Sequence, residues 1–424
     1  MHLRNLLAAA TTSALLLGAP APRAAAGENP HPVGAGTPGT LVCVGAKVYP
    51  SPTAPPIEHA VLIIRDGKIH TVAAGDPGKN EIPRAATTLP CAGKVVVAGF
   101  WNSHVHFETG WQQSATRPAV ELEGQLRDML NRWGFTTVWD LGSTPEDTLA
   151  LRHRIEAGEL AGPRILMAGD IFPKNGHPAY LPAEMQLPEA ATPQEADAMS
   201  RRYLQMGLDG IKLFTGVFMG DKPVINMDTA IVKAAVDVAH AQGKPVFAHP
   251  QNWTGLDNAL AGGVDILAHT IPTTEPREGG FSAEELSRMQ RQHTALIPTL
   301  TLWTTVVPDR AVIDKLEEVT VGQLKAFHSH GGTVLFGTDV GFTSKYDTTE
   351  EFVFMARALG WQDILASLTT NPSNYFKAED RGQVKQGMQA DLVVLEADPA
   401  SDVRNLAKVA YTIRGGKVIY QRPQ

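Results

Sequence analysis

Val95-Val96-Val97-Ala98-Gly99-Phe100-Trp101-Asn102-Ser103-His104-Val105-His106-Phe107 opens on a near-continuous apolar run and closes on two histidines one residue apart. An apolar run without polar alternation suits a parallel strand buried on both faces. Side chains on a strand alternate with period two, so His104 and His106 point the same way and can share one metal ion. A lone His-x-His also arises from surface or core histidines. Its weight comes from what the rest of the chain places beside it.

Outward from this stretch the same rhythm recurs, a short apolar strand ending in polar residues and then a helical stretch. Strands are predicted over 95–107, 135–142, 164–172, 210–215, 245–249, 265–270, 295–302 and 334–340, with helices such as 228–242 and 311–330 between them. Eight strand–helix units predict a (β/α)8 TIM-like barrel over residues 95–381, although a doubly wound open sheet shows the same alternation. The chain ends read differently. Short β-branched runs at 41–49, 60–65 and 68–73, with the turn Asp66-Gly67, are matched by runs at 391–395, 409–413 and 417–420 with the turn Gly415-Gly416. Both ends, 27–94 and 382–424, are expected to build one small β-sandwich domain together.

Polar residues fall at the C-terminal ends of the barrel strands: His104 and His106 on the first, Lys212 on the fourth, His249 on the fifth, His269 on the sixth, and Thr338-Asp339 on the eighth. In a barrel those ends converge on one face, where catalytic groups sit. Imidazole and carboxylate ligands suit zinc first, and also cobalt, nickel, manganese or iron. Lys212 conflicts with this set, because an ammonium would be repelled by divalent cations and is costly to desolvate. A neutral amine escapes the conflict, and so does a carboxylated lysine, whose two carbamate oxygens can bridge metals. A lysine paired with Asp209, or reaching substrate, is the alternative.

A composition of 43% hydrophobic and 19% charged residues over 424 positions, with 39 Gly and 30 Pro, describes a loop-rich enzyme rather than a disordered or fibrous chain. The net charge of -7 and the lack of a basic aromatic-rich segment give no footprint for nucleic acid. Arg4, the apolar run from Leu6 to Ala19, and Ala24-Ala25-Ala26 read as a signal peptide over 1–26, predicting a secreted or periplasmic protein without a membrane helix. Cys43 and Cys91 are the two cysteines. They either pair in an oxidising compartment or lie as two buried thiols, since spacing alone cannot give their Cα separation.

The chain resembles the amidohydrolase superfamily, and within it the imidazolonepropionase-like and prolidase-like hydrolases. The resemblance rests on Gly99 to His106, Gly134 to Gly142, Gly162-Pro163-Arg164, Ile211-Lys212-Leu213, Ala248-His249, Ala268-His269, Gly337-Thr338-Asp339 and Gly387 to Leu395, nearly the whole mature chain. It implies that His104, His106 and Asp339 bind a more buried metal, that His249 and His269 bind a more exposed one, and that carboxylated Lys212 bridges both. Two departures stand out. Asn102 replaces the aspartate many members carry before the paired histidines, and Asn175-Gly176-His177 replaces a more glycine-rich turn.

With two divalent metal ions in place, a metal-bridging hydroxide would serve as nucleophile and Asp339 as general base and then general acid. His177 is expected to hold a substrate carboxylate or carbonyl, with a loop-capping role as its alternative. The small-molecule substrate is expected to present an amide-type C–N bond, as in dipeptides, N-acyl amino acids or lactams. Esters, lactones or phosphotriesters would suit the same centre, and a non-catalytic solute-binding module ranks last because every expected ligand is present.

Overall fold

The computed structural model describes residues 39–75, 82, 85–108, 110–272, 280–307 and 309–423. The expected signal peptide lies outside the described residues. Seven strands, Phe100–Val105, Phe135–Asp140, Arg164–Pro173, Gly210–Phe214, Val246–His249, Ile266–Ala268 and Ala295–Ile297, pair in parallel, each with the next. The extended segment 334–340 takes the eighth position, with parallel bridges Leu296↔Val334 on one side and Val105↔Val340 on the other. The Leu335 amide donates to the Leu296 carbonyl at 2.9 Å and the Ser103 amide to the Phe336 carbonyl at 2.7 Å. The sheet therefore closes, and the open doubly wound alternative is excluded.

The strand expected over 95–107 is in fact two strands in two sheets. Val95–Ala98 pairs antiparallel with Leu392–Leu395 and parallel with Leu41–Val48, whereas Phe100–Val105 belongs to the barrel. Gly99 is the crossing point: a Cβ there would stand 2.3 Å from Thr136 Oγ1, so only glycine passes. Its amide donates to the Asp391 carbonyl at 2.7 Å. The first half of the quoted stretch is thus apolar on both faces because, as a central strand of the end sheet, it packs Val95 and Val97 into the main core and Val96 and Ala98 into the end sheet's own core, not because it is a barrel stave.

Both chain ends do build one unit, a mixed sheet ordered Lys417–Gln421, Val409–Arg414, Leu392–Leu395, Val95–Ala98, Leu41–Val48, Ile57–Arg65 and Lys68–Ala74, with Thr87–Leu89 beside Leu41–Val48. The Asp66-Gly67 turn has φ of +50° and +77°, the left-handed pair a two-residue hairpin needs. Arg381 and the Gly415 amide share the Asp391 carboxylate at 2.9 and 2.7 Å, fastening the C-terminal hairpin to the segment leaving the barrel. Cys43 and Cys91 form a disulfide with their Cα atoms 5.4 Å apart, which decides between the two sequence alternatives. Among the described residues no helix is long and apolar enough to cross a membrane.

Through the middle of the barrel the side chains alternate between interior and helices. Leu166, Ala168, Phe247, Ile266, Ala268, Ala295, Ile297 and Leu335 face one another across the interior, while Ile165, Val246, Leu267, Leu296 and Val334 face the surrounding helices. Phe376 closes the end where the strands begin, 5.8 Å from Trp101, 4.9 Å from Trp139 and 6.2 Å from Phe247 between ring centroids. Tyr375 locks that plug by donating to the Asp265 and His293 carbonyls at 2.6 and 3.1 Å. The opposite end is left open for chemistry.

Candidate metal centre

At the strand ends His104, His106, Lys212, His249, His269 and Asp339 all border one cavity of about 630 Å³. The inward facing of Lys212 follows from alternation, since Ile211 and Leu213 pack outward against the helices. That of the paired histidines does not. Trp101 faces inward, so an unbroken strand would carry Val105 inward too and His104 and His106 out; a register shift between Asn102 and Val105 reverses the parity. His269 and Asp339 are turned by their backbone, with φ of +83° and +60°, the left-handed region that non-glycine residues rarely adopt. Close packing enforces this geometry: a Cβ on Gly341, two residues after Asp339, would stand 1.8 Å from the His106 carbonyl oxygen.

Asn102 stitches the first strand to the eighth segment. Its Oδ1 accepts from the His104 and Thr338 amides, each at 3.2 Å, and its Nδ2 donates to Thr338 Oγ1 at 2.7 Å. The departure from aspartate thus supplies an N–H donor that a carboxylate lacks, and it holds His104 and Asp339 in register.

His104, His106 and Asp339 bring one ligand atom each within 4.8 Å of one another. Asp339 Oδ1 lies 2.9 Å from His106 Nε2 and 3.2 Å from His104 Nε2, which are themselves 3.2 Å apart, yet this oxygen makes no hydrogen bond. Since His106 Nδ1 faces the Gly142 carbonyl at 3.2 Å, it carries the ring hydrogen in the neutral tautomer and leaves Nε2 as a lone pair. Lone pairs aimed at one point repel unless a positive charge sits among them. A proton on His106 Nε2 can supply that charge: burial works against it, but the Asp339 carboxylate 2.9 Å away outweighs burial and pushes that imidazole up to about 9. Burial, offset in part by Asp339, holds His104 well below its ordinary value and brings His249 down to about 4, so both are neutral donors. The donor set fits a divalent cation.

The remaining expected ligands are drawn around this group more loosely. His269 Nε2 is 4.0 Å from Asp339 Oδ2, and its Nδ1 meets Thr299 Oγ1 at 2.6 Å, which fixes the ring as a ligand-supporting contact does. His249 stacks 4.7 Å from His269 between centroids, and its Nε2 meets Gln251 Oε1 at 3.0 Å. Lys212 is buried, with Nζ 5.5 Å from the Phe214 ring centre. Asp209, its alternative partner, instead takes Arg152 at 2.7 Å. Burial lowers the Lys212 ammonium to about 8, even with Asp339 and Asp170 favouring its charge.

His177 does not border the cavity; its Nδ1 faces the Pro178 carbonyl and its Nε2 the Met185 carbonyl, each at 3.2 Å. The same loop sends Tyr180 into the cavity instead, edge-on to Phe342 at 5.2 Å. Trp303 also lines the wall. Glu108 and Asp170 are cavity residues that sequence reading passed over. Asp170 pairs in register with Lys212 at the end of the third strand, so the strand-end rule that found the other ligands would have found it. Burial pushes Glu108 up to about 7 and Asp170 up to about 6.

Comparisons with known proteins follow this geometry. Uncharacterised proteins of Mycobacterium tuberculosis and Mycobacterium bovis are 28% identical over 256 residues, 58% of this chain and 59% of theirs, so the match spans about three fifths of the length of these relatives. Among solved structures, a Xaa-Pro dipeptidase with bound methionine superposes with a TM-score of 0.75 at 22% identity, covering 90% of this chain and 100% of that one. Aspergillus niger ochratoxinase gives 0.70 at 19% identity, covering 91% and 96%, and molinate hydrolase 0.71 at 19%, covering 90% and 94%. At these identities the likeness establishes the fold. The amidohydrolase family matches residues 95–419, from the strand before Gly99 to the last hairpin, and the chain belongs to that family of hydrolytic enzymes.

Proposed function

We propose that the protein hydrolyses an amide-type C–N bond of a small molecule, in a dipeptide, an N-acyl amino acid or a lactam, with two divalent metal ions, zinc first, held by His104, His106, His249, His269, Asp339 and a carboxylated Lys212. The observation that carries this reading is the convergence of one ligand atom each from His104, His106 and Asp339, all within 4.8 Å of one another, at the mouth of the barrel. When bound, such ions polarise a carbonyl and acidify water.

The protein's own groups supply the rest. Asp339 turns one oxygen toward His104 and His106 and the other toward His269, which supports its reading as the group that takes a proton from attacking water and returns it to the leaving nitrogen. The Lys212 amine, brought toward neutrality by burial, can attack carbon dioxide and lose a proton, leaving a carbamate in place of an ammonium that would repel the ions. Gln112 and Gln251 border the cavity as neutral groups able to orient an amide. The disulfide supports the secreted or periplasmic location expected from residues 1–26.

Elemental analysis of purified protein, with turnover measured on dipeptide, N-acyl amino acid, lactam, lactone and phosphotriester panels before and after chelation, tests the reading. Close to two divalent ions and chelator-sensitive amide hydrolysis are expected; full activity without metal ends it, and turnover confined to lactones or phosphotriesters replaces the bond class. Lys212→Ala should lose metal and regain part of it with short carboxylic acids. Lys212→Arg with full metal content and activity would remove the carbamate.

A further inference from the structure

We propose a second binding site, apart from the metal cavity, in which Arg132, Lys408 and Arg422 take a soluble anion carrying two or more phosphate charges, of the diphosphate kind. The site is a cleft of about 590 Å³ where the barrel meets the end sheet, and among the described residues its lining shares none with the metal cavity. Its cations come from three separate places in the chain. Arg132 belongs to the turn Asn131–Trp133 that leads into Phe135–Asp140, Lys408 precedes Val409–Arg414, and Arg422 follows Lys417–Gln421. Hydrogen bonds hold these segments together: Thr412 Oγ1 donates to the Asn131 carbonyl at 2.6 Å, and the Arg422 amide donates to the Ala410 carbonyl at 2.8 Å. The Trp133 indole is fixed by donating to the Asp128 carbonyl at 3.0 Å, and the Arg132 guanidinium lies over that ring, 5.0 Å from its centre. A cation on an aromatic face keeps its charge and its donors for a ligand.

The charge of the cleft is the reverse of the chain's. The protein carries a net charge of -7, yet here four basic side chains face two carboxylates. Both carboxylates are already engaged. Asp402 takes the Arg404 guanidinium at 2.7 Å and the Arg404 amide at 3.0 Å, and Asp347 accepts the Thr349 amide at 2.8 Å. No hydrogen bond or ion pair takes up the side chains of Arg132, Lys408 or Arg422 among the described residues. Tyr420, in the cleft wall, lies within reach of two of them: burial raises its phenol, while the charges of Arg132, Arg422 and Arg127 oppose that rise. Arg127 is held by Asp128 at 2.9 Å, which leaves Arg132 and Arg422 as the free pair. Cations gathered without counter-charges repel one another, and an anion that spans them relieves the repulsion while taking charge-assisted hydrogen bonds from each. A singly charged anion offsets only one of the three, whereas a diphosphate can meet all of them.

Calorimetric titration of the full-length protein with sodium pyrophosphate tests the site, with dimethyl phosphate as the singly charged control. The protein is first freed of metal, so that pyrophosphate cannot register as a ligand of bound ions. Pyrophosphate should bind at least roughly tenfold tighter than dimethyl phosphate, and more weakly as salt is raised. The Arg132→Gln/Arg422→Gln double variant should weaken pyrophosphate binding at least about tenfold, and Lys408→Gln, at an exposed position that makes no contact the fold needs, by roughly threefold. No binding by the native protein up to about 10 mM pyrophosphate, equal affinity for the two anions, or unchanged affinity in either variant overturns the proposal.

Discussion

The two ends of the barrel are made by the same strands and follow opposite rules. Where the strands begin, Trp101, Trp139, Phe247 and Phe376 pack ring against ring, and the first three are almost wholly buried. Where they end, buried polar groups crowd one another, Asp339 Oδ1 and His104 Nδ1 lack hydrogen-bond partners, and His269 and Asp339 hold left-handed backbone. Each such residue costs on the order of 1–3 kcal/mol. The apolar end stabilises a frame in which the polar end can stay strained and ready for a cation, the usual division of labour between the faces of such a barrel.

The variant with the largest expected effect tests the polar end. Asp339→Asn keeps size and one coordinating oxygen but removes the basic oxygen, so turnover should fall at least about 10²-fold with little change in KM and with metal retained. Activity that falls only in step with lost metal would make Asp339 a ligand alone. At the other end Phe376→Ala should lower unfolding free energy in denaturant by roughly 3–5 kcal/mol while metal content per folded molecule stays constant. If metal is lost as well, the two ends are not separable.

Smaller effects sharpen the contrast. Replacing Cys43 and Cys91 together by alanine removes a link across 48 residues of the end sheet and should cost roughly 2–4 kcal/mol, with turnover at moderate temperature unchanged. The smallest effect belongs to Glu351, which supports the loop carrying Thr299, the hydrogen-bond partner of His269. Its carboxylate accepts from the Leu300 and Thr301 amides at 2.9 and 2.8 Å, yet burial outweighs these bonds and raises it from 4.5 to about 7. A raised carboxyl stabilises the fold below its unfolded value and loses that contribution as pH rises through the folded one. Stability should therefore decline between pH 5 and 8 by a component of roughly 2–3 kcal/mol that Glu351→Gln abolishes. Parallel pH profiles of the two proteins would remove Glu351 from the account.

Much of this contrast was legible in the chain. Strand positions, the helices near Thr229–His240 and Arg310–Ser329, and the gathering of His104, His106, His249, His269, Lys212 and Asp339 at one rim follow from apolar runs that end in polar residues. Glu108 and Asp170 were missed for different reasons. Glu108 stands past the end of a strand, while Asp170 was overlooked in a strand read only for its apolar residues.

Alone, the sequence determined which residues are buried and in what rhythm, because transfer from water acts on each side chain and its period reports the local backbone. Tertiary structure decided direction and partnership. The two-sheet split at Gly99, the reversed parity that aims His104 and His106 inward, the left-handed turns at His269 and Asp339, the Cys43–Cys91 pairing and the turning of His177 onto its own loop all depend on atoms far away in the chain. Thr136 closes on Gly99, and the first strand closes on residues 334–340 through Asn102. Steric exclusion and hydrogen-bond satisfaction between such distant segments select one geometry among several that the same local pattern allows.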